Sequence, residues 1–256
     1  MAEIRMTVLK NEYLELDSSQ MMIHLIDSGD RLLKAFSEKS SAKALRYLEE
    51  MGVKVNFGAR VTGYDGDRVT FLDGSHMDTN TVIWAAGVRG VCLPGLEQGF
   101  HPQANRFNVD AFNKVQGTAN VYAIGDVALM TADPDWPKGH PQVAPAAMQQ
   151  AQHLVKNLLR AENERTPFRY LDKGSMATIG RYKAVLDVRG FHMGGAIAWF
   201  GWIFVHVMSL VSFRNRVMVL FNWAWKYMSW KNTIRLIIRP YLRKTTVVEP
   251  HPTVAS

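Results

Sequence analysis

Between Gln20 and Gly87 the chain alternates apolar runs of strand length with one stretch of helical period. That order restricts the fold more than any other feature. "QMMIHLID" (20–27) reads as a short buried strand ending in an acid, Asp27. Helical spacing follows from Glu38 to Met51, with Ser37 as its N-cap and Gly52 as its C′ stop. "VKVNF" and "ARVTGY" read as strands, and the turn signals "DGD" (65–67) and "DG" (73–74) bracket "RVTFL". "TVIWAAG" (Thr81–Gly87) is a further apolar strand closed by small residues. Strand, helix, strand and hairpin in this order form half of a doubly wound nucleotide-binding domain, an α/β class.

Residues 88–119 carry Pro, Gly and Asn and read as loop with short strands. "NVYAIGDVAL" (Asn120–Leu129) then sets four apolar residues, Val121-Tyr122-Ala123-Ile124, as a buried strand before Gly125 and a carboxylate, Asp126. An acid there either caps the next turn or faces a ligand. "PQVAPAAMQQAQHLVKNLLRA" predicts a helix from Ala144 to Arg160, with Pro145 tolerated in its first turn. Gln149 and Gln150 lie about a turn in, where Gln is also an ordinary helix former. "MATIGRYKAVLDV" (176–188) alternates as a hairpin pair. No internal repeat is visible.

Charge separates the end of the chain from the rest. Of the net charge of +7, all falls in residues 191–256, which hold eight basic side chains and one acid, Glu249. Five of the seven Trp lie there too. A neutral body with a basic, Trp-rich tail points to a membrane surface and away from nucleic acid. Residues 191–213 contain no Asp, Glu, Lys or Arg, long enough for a single span, although Gly194, Gly195, Gly201 and His206 weaken it. Further on, Trp223, Tyr227, Trp230, Ile234 and Ile237 share one helical face, and Lys231, Arg235 and Arg239 fall opposite. That pattern fits a helix lying in the lipid interface, or one packed on the body with a solvated basic face. The single Cys92 excludes a disulfide framework, and eight His show no ligand spacing, so no metal site is expected. "MAEIRMTVLK" has no apolar h-region, so no signal peptide is expected.

"TVIWAAGV" (81–88), "NVYAIGDVA" (120–128) and "PQVAPAAMQQAQ" (141–152) together resemble the type II NADH dehydrogenases, the non-pumping NADH:quinone oxidoreductases of the two-dinucleotide-domain flavoproteins. "FRYLDKGSMATIGRYKAV" (168–185) and the amphipathic tail resemble them too, and the likeness runs from about residue 20 to 240. The resemblance implies FAD as cofactor, NADH as substrate and a membrane quinone as acceptor. It implies that Asp126 accepts hydrogen bonds from ribityl hydroxyls, while Gly125 and Gly87 allow close backbone approach to the cofactor. The helix beginning at Ala144 would direct its positive end at the flavin. Gln149 and Gln150 would lie beside the quinone, although Pro145 stands where the family often carries a Gln. Lys173 would stabilise reduced flavin or quinone, and Asp27 would bind the adenosine ribose of NADH. Each of these also has an ordinary reading: a turn cap for Asp126, surface polars for the glutamines, exposed charges for Lys173 and Asp27.

The family pattern includes two G-x-G-x-x-G turns, and none occurs in these 256 residues. "MAEIRMTVLKNEYLELD" resembles the link after the second such turn, so a C-terminal portion of the enzyme is expected. The expected architecture is an incomplete doubly wound FAD/NAD-binding flavoprotein fold with a C-terminal amphipathic helical membrane anchor. Residues 1–80 would complete an NADH domain, 81–190 an FAD domain, and 191–256 would form the tail. The expected setting is the cytoplasmic or organelle-matrix face of a respiratory membrane, with the bilayer surface, quinone and a second copy in a homodimer as partners. A non-catalytic, membrane-associated interaction module is the alternative. The lone Cys argues against dithiol-flavin reductases and sulfide:quinone reductases.

Overall fold

The computed structural model describes residues 1–188, 190–210 and 212–229; Trp230, Lys231, Ile234, Arg235, Ile237 and Arg239 of the expected tail face lie outside the described residues. The chain divides into two compact units, residues 1–60 with 175–256, and residues 61–174.

The first unit opens with a helical segment, π-helical over Ile4–Leu9 and then α1 (Lys10–Glu12). Strand β1 (Ile23–Ile26) and strand β2 (Val53–Asn56) pair in parallel, Ile23 opposite Val53, across helix α2 (Glu38–Glu50). This is the strand–helix–strand unit that the sequence pattern predicts. Ser37 caps α2 through its side chain to the Ser40 N–H, and Gly52, at φ +72°, follows the C-cap Met51. A small core of Ala2, Met51 and Val53 packs with Ile23, Leu25, Leu48, Val55 and Ile179. Arg5 ties the opening helix to it by donating to the carbonyls of Met21 and Met51.

The second unit begins with an antiparallel meander of β3 (Val61–Tyr64), β4 (Arg68–Phe71) and β5 (His76–Asp78), with both expected turns in place. A second sheet orders β6 (Phe100–His101), β7 (Arg106–Val109) and β8 (Ala128–Met130), the last two parallel. Helix α3 (Ala144–Leu158) has Pro145 in its first turn, as expected. The core of this unit is Phe107, Val109, Val115, Ala123, Ala128, Met130, Ala146, Phe168 and Tyr170.

Two expected strands are absent. Val121–Ile124 is extended but forms a bridge of Tyr122 to Lys114 and no ladder, because the parallel partner of β7 is the later segment β8. Thr81–Gly87 is irregular, and residues 82–89 make no backbone hydrogen bond among the described residues. Ile83 and Trp84 are each 68% exposed. Apolar composition favours a strand only where a neighbour accepts its ladder, and no described strand lies beside this run.

Returning to the first unit, β9 (Ser175–Gly180), β10 (Lys183–Val188) and β11 (Phe191–Gly194) form an antiparallel sheet that includes the expected hairpin. Helix α4 (Ala196–Ser209) packs on it through Ala198 and Trp199, and α5 (Phe213–Ser229) follows. The uncharged run 191–213 is therefore not one continuous helix. A strand occupies its start, Gly195 breaks it at φ +88°, and α4 has 14 residues. At about 1.5 Å per residue such a helix is roughly 21 Å long, short of a hydrocarbon core of about 30 Å. No described helix is long and apolar enough to cross a membrane. Trp223 is half-buried and stacks on Trp202, ring centroids 6.1 Å apart and planes within 8°.

Asp187 on β10 holds the start of α2, accepting from the Ser37 N–H at 2.6 Å and the Ser40 hydroxyl at 2.5 Å, with His192 Nδ1 at 2.9 Å. Burial pushes its carboxyl up, but the hydrogen bonds from Ser40, Ser37 and His192 outweigh it and hold the pKa below the usual 3.8. A lowered folded pKa contributes stability that is present above the unfolded value and lost as pH falls through the folded one. Asp187→Asn should therefore cost about 1–3 kcal/mol in denaturant melts at neutral pH. The gap from wild type should narrow as pH falls below about 4. A gap that stays constant down to pH 2 would contradict this role.

Candidate active site

The turn at Gly125 decides where Asp126 points. The extended segment before it is held by the Val115 N–H to the Val121 carbonyl (2.8 Å) and the Ala123 N–H to the Asn113 carbonyl (3.0 Å). Gly125 then takes φ +69°, and Gly125–Val127 form a single 3₁₀ turn. Any side chain at 125 would be strained, and its Cβ would lie 3.1 Å from the Ala147 Cβ. The turn so made leaves the Asp126 side chain exposed.

The first turn of α3 adjoins this acid. Gln142 donates to the Asp126 carbonyl at 3.0 Å. Val143, the N-cap, offers no side-chain acceptor to the first N–H groups, and no acidic residue lies in the first turn. Ala144 is exposed. The Ala146 and Ala147 N–H groups turn back to the Val143 carbonyl and Pro145 has no N–H, so at this helix end the Ala144 N–H is left without a partner among the described residues.

Behind that surface lies a buried polar chain. Gln150, 1% exposed, accepts the Gly125 N–H at Oε1 (2.6 Å), and its Nε2 lies 3.2 Å from His140 Nδ1. His140 Nε2 lies 3.0 Å from an Asp133 oxygen. Asp133 also accepts from the Tyr170 N–H (3.0 Å), the Asp135 N–H (3.3 Å) and Arg169 (3.1 Å). Burial pushes the Asp133 carboxyl up; the Tyr170 N–H, His140, Asp135 and Arg169 together bring it below the usual value. Arg106 donates to the His140 carbonyl (3.1 Å), and its Nε is buried without a partner. Burial lowers its pKa, against the opposing pull of the Asp126 charge.

The other expected site residues divide between the units. Gln149 exchanges two hydrogen bonds with the Leu171 backbone, each 3.0 Å, and Lys173 is exposed just beyond. Gln150 faces the interior. Gly87 has φ +92° in the exposed run, with nothing within 4 Å of an added Cβ. In the first unit, Asp27 follows β1, half-buried, and accepts the Gly29 N–H at 2.7 Å. Sequence reasoning missed Asp133, His140 and Arg106. The sign of the first two is "DPDWPKGH" (133–140), two acids and a His in a loop stiffened by two prolines and holding a Trp; nothing in the sequence marks Arg106. Among the described residues no group of three or more His, Cys, Asp or Glu is placed to hold a metal ion.

Residues 14–151 match the pyridine nucleotide-disulphide oxidoreductase family, and residues 173–235 match the NDH2 C-terminal domain. The type II NADH:quinone oxidoreductase Ndh of Mycobacterium tuberculosis is 30% identical over 245 residues, covering 89% of this chain and 50% of that protein. NdhA of the same organism is 32% identical over 235 residues, 88% of this chain and 50% of that one. The chain thus spans about half the length of these curated relatives. Among solved structures, NDH2 from Plasmodium falciparum in complex with NADH superposes with a TM-score of 0.79 at 18% identity, over 91% of this chain and 63% of that one. That likeness shows an α/β FAD/NAD-binding flavoprotein fold. By a match over more than half of its length, the chain belongs to the pyridine nucleotide-disulphide oxidoreductase family, and the part that follows is similar to the NDH2 C-terminal domain.

Proposed function

We propose that this chain supplies the flavin-facing turn, the NADH-ribose acid and the membrane surface of an FAD-dependent NADH:quinone oxidoreductase that pumps no protons. The observation that carries the reading is the exposed Asp126 carboxylate on a glycine-made turn beside the first turn of α3, whose Ala144 N–H has no partner among the described residues. A carboxylate is acceptor-only and suits a polyol such as ribityl. The α3 N-terminus suits the partial negative charge of a flavin ring edge. The residues present fit that part of FAD. When bound, FAD would accept a hydride from NADH and pass two electrons to quinone.

The chain's own groups then position and screen. Asp126 would bind the ribityl hydroxyls and Ala144 would open the helix end to the ring, with Gly87 another position for close approach. Asp27 would accept from the adenosine ribose of NADH. Gln149 holds the Leu171 backbone, and so carries the segment that bears Lys173. The Lys173 ammonium would stabilise negative charge developing on the reduced quinone or flavin. A non-catalytic membrane module is the competing reading, favoured by the exposed run 81–88.

FAD titration separates the two. The purified chain should retain little FAD, since no G-x-G-x-x-G turn is present to take the pyrophosphate. Added FAD should bind, and Asp126→Ala should weaken it by at least about tenfold, the loss of hydrogen bonds to a charged group. Identical titrations of wild type and variant would remove Asp126 from the site. No binding by wild type at any attainable concentration would favour the module.

The membrane role rests on two exposed stripes. Ile197, Phe200, Phe204 and Met208 step by 3, 4 and 4 along α4, and Phe213, Val217, Phe221 and Trp225 step by 4 along α5. We infer that these lie in the interface of an anionic respiratory membrane, with Arg214, Arg216, Lys226, Lys231, Arg235 and Arg239 meeting lipid phosphates at about 1 kcal/mol each. The tail positions Tyr227, Trp230 and Ile234 would add apolar area at about 25 cal/mol per Å². Vesicle co-sedimentation checks this. Phe200→Ser with Phe204→Ser should weaken binding even in high salt, while Lys231→Gln, Arg235→Gln and Arg239→Gln should weaken it mainly at low salt. Complete release of wild type by moderate salt would leave only the electrostatic part.

A further inference from the structure

The buried chain from Asp133 to Gly125 has only one consistent direction of hydrogen bonding. The Gly125 N–H is a donor, so the atom of Gln150 facing it at 2.6 Å is the amide oxygen. The other end of that amide is then the NH₂ group, 3.2 Å from His140 Nδ1, so Nδ1 must accept. A neutral imidazole that accepts at Nδ1 carries its proton on Nε2, and Nε2 faces Asp133 at 3.0 Å, an acceptor. Each link therefore sets the next. Asp133 is itself held by the Tyr170 and Asp135 N–H groups and by Arg169. His140 is enclosed by the rings of Phe168, Tyr170 and Trp136, with centroids 5.3, 5.7 and 6.4 Å away.

We propose that Asp133, His140 and Gln150 are positioning residues for the flavin-facing turn, acting as a directional relay that holds the Gly125 N–H and so the stance of Asp126. This rests on the reading of Asp126 as a flavin ligand. It assigns Gln150 a task distinct from touching substrate: with both ends of its amide engaged inside the protein, it acts through the backbone of the residue before Asp126.

The test uses the full chain labelled with ¹⁵N. Long-range ¹H–¹⁵N correlation should show His140 with an unprotonated Nδ1 and a protonated Nε2. Gln150→Met should speed exchange of the Gly125 amide by about tenfold, the loss of one buried hydrogen bond. Gln150→Glu keeps an acceptor for Gly125 but removes the N–H facing His140, so it should restore Gly125 protection while moving the Nδ1 resonance to the protonated position. A purely structural role would move neither the tautomer signature nor its reversal by the conservative change. A protonated Nδ1 in wild type would overturn the relay, as would Gly125 exchange indifferent to Gln150→Met in a folded variant. FAD titration of the same three proteins separates the underlying reading. Affinity should follow Gly125 protection, falling in Gln150→Met and holding in Gln150→Glu. Equal affinity in all three would show that the turn's stance does not serve flavin. No FAD binding by any, with the NMR results as expected, would refute the flavin reading and support the relay as the device that sets the turn.

Discussion

A carboxylate that is almost wholly buried must be surrounded by donors or be neutralised, and Asp133 is surrounded. Its two oxygens gather the Tyr170 N–H, Arg169, His140 and the Asp135 N–H, so one side chain ties the loop after β8 to the segment before β9. Through His140 and Gln150 the same network reaches α3 and the Gly125 turn. Removing one member of such a set strands a buried polar group, which costs more than the bond itself contributes. The constraint that shapes the exposed Asp126 turn lies beneath it.

The strand–helix–strand unit was legible because local and tertiary signals agree there. Ser37 caps, Gly52 takes a left-handed conformation, and between them Ala44 is buried and Leu45 and Leu48 are half-buried, alongside the buried Ser40 and Ser41. The turn residues between β3, β4 and β5 were equally plain. Legibility failed where a segment's state depends on who sits beside it. Thr81–Gly87 has the composition of a central strand, and no described strand pairs with it. Val121–Ile124 has the same composition and is held by scattered bonds to residues 113–115 instead of a ladder.

At the site, Asp126 could be singled out because an acid after an apolar run and a glycine is conspicuous. Gln149 and Gln150 could be singled out but not told apart. Adjacent residues on a helix are about 100° apart, and here that rotation sends one amide to a surface loop and the other to the interior. His140 and Asp133 stand seven residues apart in a loop of no regular period, so no pattern joins them. Only the fold reveals that they touch.

The unpaired run from Val82 to Arg89 has a consequence for how such a chain behaves in solution. It presents open N–H and C=O groups on an apolar, β-prone segment with Ile83 and Trp84 outward. That is the chemistry of an uncovered sheet edge, which pairs with whatever extended backbone it meets. With the apolar stripes of α4 and α5 also exposed, the molecule carries two adhesive surfaces of different kinds, one that lipid or detergent satisfies and one that only another strand can. Detergent would therefore keep the tail in solution and leave the edge free to drive self-association that grows with concentration.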